Sequence, residues 1–557
     1  MIDCTADRKM HISYQHANPF TGRESAVIRI EGLLPDQTVC LLIDAGEGVD
    51  IDDLLEGDDE YLTAICLTHA HLDHYTTLAE NLRDAAPIYT APDTAAILAD
   101  VIDAGGGFSD HQTRETVLNR LTPLEDWTTI VDGLRVRPVP AGHTPGATGI
   151  LLSIKDGNEH RTILMTGDFT LRRAAGYPGF EPELPVDVDV LLLNAAASDD
   201  IETTLTETVS QLIQRALAGS TVLATTSGLT GIHLAYLLGH LAHQYDLYLP
   251  VTLVGHAGTL ADRLGYDIPS VNTHIEFTDP DAVLESGAIT IAGPEVPTRG
   301  ETKSADRLFS AIEDDPGATL VQVLSGADSP VRTASCTVHD EFLSNHPSRD
   351  SIDTVVDQLM PVHVVVMHQT GPAADRYKDK FASYVWVTDD QTHHTLLNDH
   401  GWTPPPWVTS MTRKRVESSG HTTRRIGESL PDDDDNLSFP PTDRYSDVDL
   451  TAEGLDIAVL TEHIPQLTGD SSRVDASETT HGPSAPMTQK NEASTLQQVL
   501  DRLDKLENML QEDRYPARVL DTRDGVTILR VDTEIPDVNV GDTLGVVSES
   551  DTEANVN

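Results

Sequence analysis

The chain is short of basic residues, and of lysine above all. Eight Lys and 29 Arg face 90 Asp and Glu, for a formal net charge of −53 over 557 residues. At ordinary ionic strength such a charge repels itself and shuns nucleic acid. At about 1 M salt the Debye length falls to roughly 3 Å, and most of that repulsion is screened. The acidity runs through the apparently folded part and is not confined to one tail, so a halophilic source is expected. Charge then says little about partners, because in concentrated salt a nucleic-acid-binding protein need not be basic. Cysteine is scarce too. Cys4, Cys40, Cys66 and Cys336 are scattered with no CxxC, which argues against a disulfide framework in so long a chain. No apolar run approaches the roughly 18 residues of a spanning helix. The opening MIDCTADRKMHISYQ lacks an apolar signal-peptide core. A cytoplasmic protein without a membrane partner is the expectation. No internal repeat is visible.

What is present is a change of texture along the chain. From 25 to 170 short β-rich runs dominate: SAVIRIEG, TVCLLIDAG, LTAICLTHA and GATGILLSIKDG. HYTTLAENLRDA and APDTAAILADVIDAGG read as helices. From 185 strands and helices alternate, which argues for a mostly parallel sheet. Past about 405 this texture ends. Residues 416–493 are rich in Ser, Thr, Asp and Pro, a composition expected to remain disordered. A cut after about 410 is therefore expected to leave the fold intact. STLQQVLDRLDKLENMLQED then spaces Leu496, Val499, Leu503, Leu506 and Leu510 at 3-4-3-4, about two heptads. The expected role of these heptads is homo-oligomerisation. The remaining segment reads as a small β unit with RDG as a hairpin turn.

The chemistry is concentrated in LTHAHLDHY, Leu67 to Tyr75. The apolar AICL strand ends there, and ligand sites gather at strand ends in layered α/β folds. His69 and His71, two apart, point one way while the chain is extended. Asp73 and His74 sit where it turns. Imidazole and carboxylate are suitable donors for zinc. Four donors in six residues exceed the usual local contribution to one tetrahedral site, which suggests two metals. Asp44, His143 and Asp168 each follow an apolar strand and are further candidates.

The order LIDAG, THAHLDHY, AGHTPGA, MTGDF resembles the metallo-β-lactamase fold. The resemblance implies that His69, His71 and His143 hold one metal and Asp73 and His74 the second. Asp168 bridges, and Asp44 supports the ligand loop. Two zinc ions per chain are implied. The α/β block inserted before the final strands is similar to the cap of the β-CASP nucleases of RNA processing. FLSNHPSRDSIDTVVDQLMPVHVVVMHQTG resembles their closing motifs, placing His346 on the general acid and His368 on the last metal ligand. The implied fold class is α/β: a metallo-β-lactamase αββα sandwich in 1–195 and 331–405, with a cap in 196–330. An acidic linker (406–493), a short coiled-coil helix (494–513) and a small β unit (514–549) would follow.

Several positions depart from that pattern. Thr76 stands where the first motif usually closes with Gly, Asn194 where the cap's first acid is usual, and Asn345 where Gly precedes the closing His. ATTSGLTGIHLAY lacks the family's Arg and Gln. Asn can hydrogen-bond an imidazole but cannot stabilise its charged form as a carboxylate does. Asn194, or the displaced Asp199, is the expected partner of His346. The implied function is hydrolysis of phosphodiester bonds in single-stranded RNA, with water activated by the two zinc ions. The alternatives are a weakly active or non-catalytic relative acting as an RNA-binding or partner subunit, and a hydrolase of small esters or thioesters.

Overall fold

Apolar side chains on both faces of the central strands let two sheets stack on each other and take helices on their outer faces. The computed structural model describes residues 9–105, 111–300, 302–326, 329–419 and 437–468, and the backbone of 517–523 and 526–531. In the first sheet His11–His16, Ala26–Leu34 and Gln37–Ile43 pair antiparallel, and Glu60–Cys66, Ile88–Thr90 and Leu121–Pro123 add in parallel. The second sheet runs Tyr384–Trp386, His363–Met367, Val190–Asn194, Glu159–Met165, Thr148–Asp156, Leu134–Pro140, Thr128–Val131. Val190 and Leu192 enter the core with Ile28, Leu41, Ile150 and Val365. Leu191 and Leu193 face the other way, onto Val364, Val366, Ile352 and Val355. Burial on both faces explains why VLLL is an unbroken apolar run.

The strand beside Val190–Asn194 is His363–Met367, paired from Val190↔His363 to Asn194↔Met367. Between them the chain leaves the sandwich and builds a six-stranded, all-parallel sheet with interleaved helices, as the alternating texture predicts. Two expectations need correction here. The boundary at 330 is too early, because Thr337–Phe342 pairs with Ala318–Leu324 as the sixth strand of the insert. This edge strand is only half-buried, so its apolar signal is weak. The helix expected over 74–85 shrinks to Leu72–Tyr75. Beyond it Thr77 donates to Ala45 O, and the Asn81 side chain bonds Ile51 N and Val49 O. The loop after Ile43 has taken over that backbone.

The linker expected over 406–493 is overturned in part. Ser410–Ser418 is a helix, with Val416 buried against Val362 and Tyr384. Residues 437–468 lie along the folded body, and Leu450, Leu455, Leu460, Ile464 and Leu467 join its largest apolar cluster. Asp456 caps the helix Ile457–His463 by accepting from Val459 N, as an N-cap Asp does. Composition averaged over eighty residues hides this short apolar register. The expectation that a cut after 410 leaves the fold intact falls with it. The heptads at 494–513, and with them the homo-oligomer call, lie outside the described residues. Of the small β unit, the antiparallel pair Ala517–Arg523 and Val526–Val531 is described by itself; the rest of 514–549 lies outside. Among the described residues no helix is long and apolar enough to cross a membrane.

Leu460 is fully buried. Leu460→Ala is expected to lower unfolding free energy by about 2–4 kcal/mol, the usual cost of a large-to-small change in a core. Denaturant titration measures it; a loss below about 1 kcal/mol would mean that the segment is not part of the cooperative unit.

Candidate metal centre

Strand ends deliver the donors. Asp44 follows Gln37–Ile43, His69 and His71 follow Glu60–Cys66, His143 follows Leu134–Pro140, Asp168 follows Glu159–Met165, and His368 follows His363–Met367. Asp44 and His368 hold positive φ values of 54° and 56°. Such strain in non-glycine residues is kept where the surroundings over-determine it. Gly167 must be glycine: its φ is +56°, and a Cβ there would lie 2.8 Å from Thr68 Cβ.

Asp168 is the centre. It is 3 % exposed, and its two oxygens face different imidazoles. Oδ2 lies 3.5 Å from His143 Nε2 and 3.9 Å from His69 Nε2. Oδ1 lies 3.5 Å from His74 Nε2 and 3.4 Å from His368 Nδ1. His71 Nδ1 completes the first group at 3.1 Å from His143 Nε2. Zinc–donor bonds of about 2.1 Å in a tetrahedron place the donors about 3.4 Å apart. Two groups could therefore hold a metal ion: His69, His71, His143 and Asp168, and His74, Asp168 and His368, with Asp168 common to both. Asp73, half-exposed, stands 3.9 Å from both His74 Nε2 and His368 Nε2, at the edge of the second group.

The donors fit a cation. Among the described residues His69 Nε2 and His74 Nε2 are buried without a hydrogen-bond partner, a state that costs about 1–3 kcal/mol per group. Burial, reinforced by neighbouring histidines, holds His69 well below the ordinary histidine pKa; burial does the same for His143. Neutral imidazole is the form that binds metal. His74 goes the other way: burial lowers its pKa, but Asp44, Asp168 and Asp73 outweigh it and raise it well above the usual value. Asp168 is held far below the carboxylate range, because His346, His74 and His368 outweigh its burial.

The supports sit one step back. Asp44 accepts from Thr68 N at 2.8 Å, from Thr68 Oγ1 at 2.9 Å and from His74 Nδ1 at 2.8 Å. It thereby aims His74 Nε2 inward. Thr68 Oγ1 in turn lies 3.0 Å from His69 Nδ1. Asn345, the residue in place of the usual Gly, embraces His143: its carbonyl accepts from His143 Nδ1 at 2.5 Å, and its side chain donates to His143 O.

The partner expected for His346 is not found. Asn194 donates to Asp168 Oδ1 and lies 2.9 Å from His368 Nδ1, so it serves the second group. Asp199 is paired with Arg349 at 2.7 Å. Among the described residues His346 Nδ1 is buried without a hydrogen-bond partner, 3.8 Å from Asp168 Oδ2, and burial lowers its pKa. The ring borders a cavity of about 310 Å³ shared with His71, Asp73, His143 and Asp168.

Sequence reasoning missed two neighbours. Arg23 is fully buried; its carbonyl accepts from His368 N at 3.0 Å, and its guanidinium reaches Gln369 O and Asp389 (2.9 Å). It fixes the loop that carries His368. Glu24 is buried beside His74 and His368, and burial raises its pKa. Both lie in RESAV, where nothing in the pattern marks them.

This fold is the metallo-β-lactamase fold, and residues 24–209 match the family model described as Metallo-beta-lactamase superfamily. Curated relatives include ribonuclease TTHA0252 of Thermus thermophilus, 27 % identical over 224 residues, a match covering 37 % of this chain and 50 % of that protein. The DNA cross-link repair 1A protein of Gallus gallus is 36 % identical over 124 residues, 22 % of this chain and 11 % of that protein. The matches thus span half or less of these relatives' own lengths. A solved structure of a protein of unknown function from Enterococcus faecalis V583 covers 70 % of this chain and all of its own, at 14 % identity and a TM-score of 0.48.

Asp44→Asn is expected to weaken metal affinity about 10- to 100-fold, the usual effect of removing a hydrogen-bonded support behind a ligand. Competition with a chromogenic chelator reads it, with circular dichroism as the folding control. Unchanged affinity would detach Asp44 from the centre.

Proposed function

We propose that the chain is a metal-dependent nuclease that hydrolyses phosphodiester bonds of single-stranded RNA. One observation carries the reading: Asp168 turns one oxygen to each of two donor groups, inside a cavity bordered by His346 and walled on its far side by the inserted domain. Similarity to a ribonuclease and to a DNA repair protein supports a nuclease over a small-ester hydrolase.

His69, His71, His143 and Asp168 would hold one cation, and His74, Asp168 and His368 the other, with Asp73 at its open edge. Zinc is the proposed metal, two ions per chain. Two such cations, when bound, supply Lewis acidity and a more acidic water. The chain does the rest. Asp168 keeps the two donor groups in register, and Asn194 pins both Asp168 and His368. His346, at the cavity edge, is the proposed proton donor to the leaving oxygen. A weakly catalytic relative is the second reading, favoured by the missing hydrogen-bond partner of His346 Nδ1.

The test is made in molar KCl, given the net charge of −53. Bound zinc is counted and end-labelled single-stranded RNA is incubated beside His69→Ala. About two zinc per chain and cleavage lost in the variant are expected; a fully metallated, active His69→Ala would overturn the site.

His346→Ala is expected to keep both metals and lose about 10²–10⁴-fold in turnover, the range for a general acid. Unchanged single-turnover cleavage would remove that role.

A further inference from the structure

The buried carboxylate of Glu453 has no counterpart in anything expected of this chain. It lies in the segment 437–468 that composition marks as linker, and it is 0 % exposed. Three donors converge on it. Ala175 N donates to Oε2 at 2.7 Å and Gly176 N to Oε1 at 2.8 Å. The third is the imidazole of His233, with Nε2 at 2.9 Å from Oε2. Arg173 N also donates to Ala452 O, and Tyr445 N to Gly176 O. The segment therefore ties the loop that follows Asp168 to the helix Gly228–Gln244 of the inserted domain.

His233 lies on that helix and lines the 310 Å³ cavity together with His71, Asp73 and His346. Ile201, Leu205 and Leu229 among the lining residues are apolar, while at the start of the helix Ser227 caps it, accepting from Thr230 N and donating to Thr230 Oγ1, which leaves the Thr230 hydroxyl hydrogen for a ligand. Of the residues that line the cavity from the inserted domain, His233 is the only ionisable one. A core histidine buried for packing alone needs no buried carboxylate. Here the carboxylate is delivered by a separate segment and fixes one ring nitrogen. With Nε2 committed to Glu453, Nδ1 is the atom left for a ligand. The start of a long helix adds its partial positive charge and the Thr230 hydroxyl, a setting that favours an anion.

We propose that His233 is a substrate-binding residue that contacts a non-bridging phosphate oxygen of the nucleic-acid backbone, and that Glu453 is its positioning residue. The proposal rests on the nuclease reading above. It deepens that reading by naming the inserted domain's contact to the strand and the C-terminal segment that sets it.

The experiment uses the full chain, zinc-loaded, in molar KCl, with a fluorescein-labelled single-stranded RNA oligonucleotide. His233→Leu is expected to raise KM about tenfold, the size of one lost hydrogen bond to a charged group, with kcat changed less than threefold and zinc content unchanged. Glu453→Gln should raise KM in the native background but change it less than twofold in the His233→Leu background, because the two residues act as one unit. A KM within twofold of the native value in folded, zinc-replete His233→Leu overturns the proposal. So does a Glu453→Gln effect of equal size in both backgrounds, which would make Glu453 a brace only. If His233→Leu does not fold, His233→Gln carries the same test, and an unchanged KM overturns it. Native protein that neither binds nor cleaves the oligonucleotide sinks the nuclease reading and this proposal together. Active native protein with indifferent His233 variants sinks this proposal alone.

Discussion

One buried carboxylate organises this molecule. Asp168 sits at 3 % exposure among His69, His74, His143, His346 and His368, and such an arrangement is tolerable only where every oxygen has a counter-charge or donor. Its position depends on a glycine before it that lets the chain pass against Thr68. It depends equally on Asn194, held at the end of the neighbouring strand. Since Asp168 lies at one strand end and its histidines at others, both sheets and their register have to be right before any part of the centre exists.

The supports form a chain outward from that carboxylate. Asp44 aims His74 and anchors Thr68, which faces His69. Asn345 grips His143 and accepts from Arg172 at 2.7 Å. Arg23 secures the His368 turn. Asn345 and Asn194 are two of the departures from the resembled pattern, and in the structure they bond the candidate donors His143, Asp168 and His368 and not His346. The drift at these positions is coherent: an amide that both donates and accepts ties ligand loops together, whereas a carboxylate there would stand beside Asp168. His346, correspondingly, is left with a buried Nδ1 and no fixed partner.

The inserted sheet and the segment 437–468 turn an open strand-end site into a cavity. The insert contributes the far wall through the start of the helix Gly228–Gln244. The segment bonds the loop after Asp168 and the helix Gly228–Gln244 through Glu453 and buries five aliphatic side chains in the largest apolar cluster. Stability of the insert and geometry of the cavity are therefore coupled by one stretch of chain.

The sequence alone determined the local chemistry. HxHxDH concentrates donors where an apolar strand stops, and the β-rich runs followed by alternating α/β texture announce short strands and then a mostly parallel sheet, because period and strand length are local properties; the sandwich and the insert were implied only by the resemblance that the order of the motifs carries. It also marked Asp44, His143, Asp168 and His368 through the order of their motifs. Only the tertiary structure decided which oxygen of Asp168 meets which histidine, that Asn194 serves His368 and not His346, and that Arg23, Glu24 and Glu453 stand near the site. Those facts rest on contacts between residues up to 366 positions apart, as from Arg23 to Asp389, and no local pattern encodes them. The burial of 437–468 was hidden for the same reason. Its acidic, hydroxyl-rich composition describes a solvated chain, while five aliphatic side chains and one buried carboxylate, matched to a groove made elsewhere, describe a docked one.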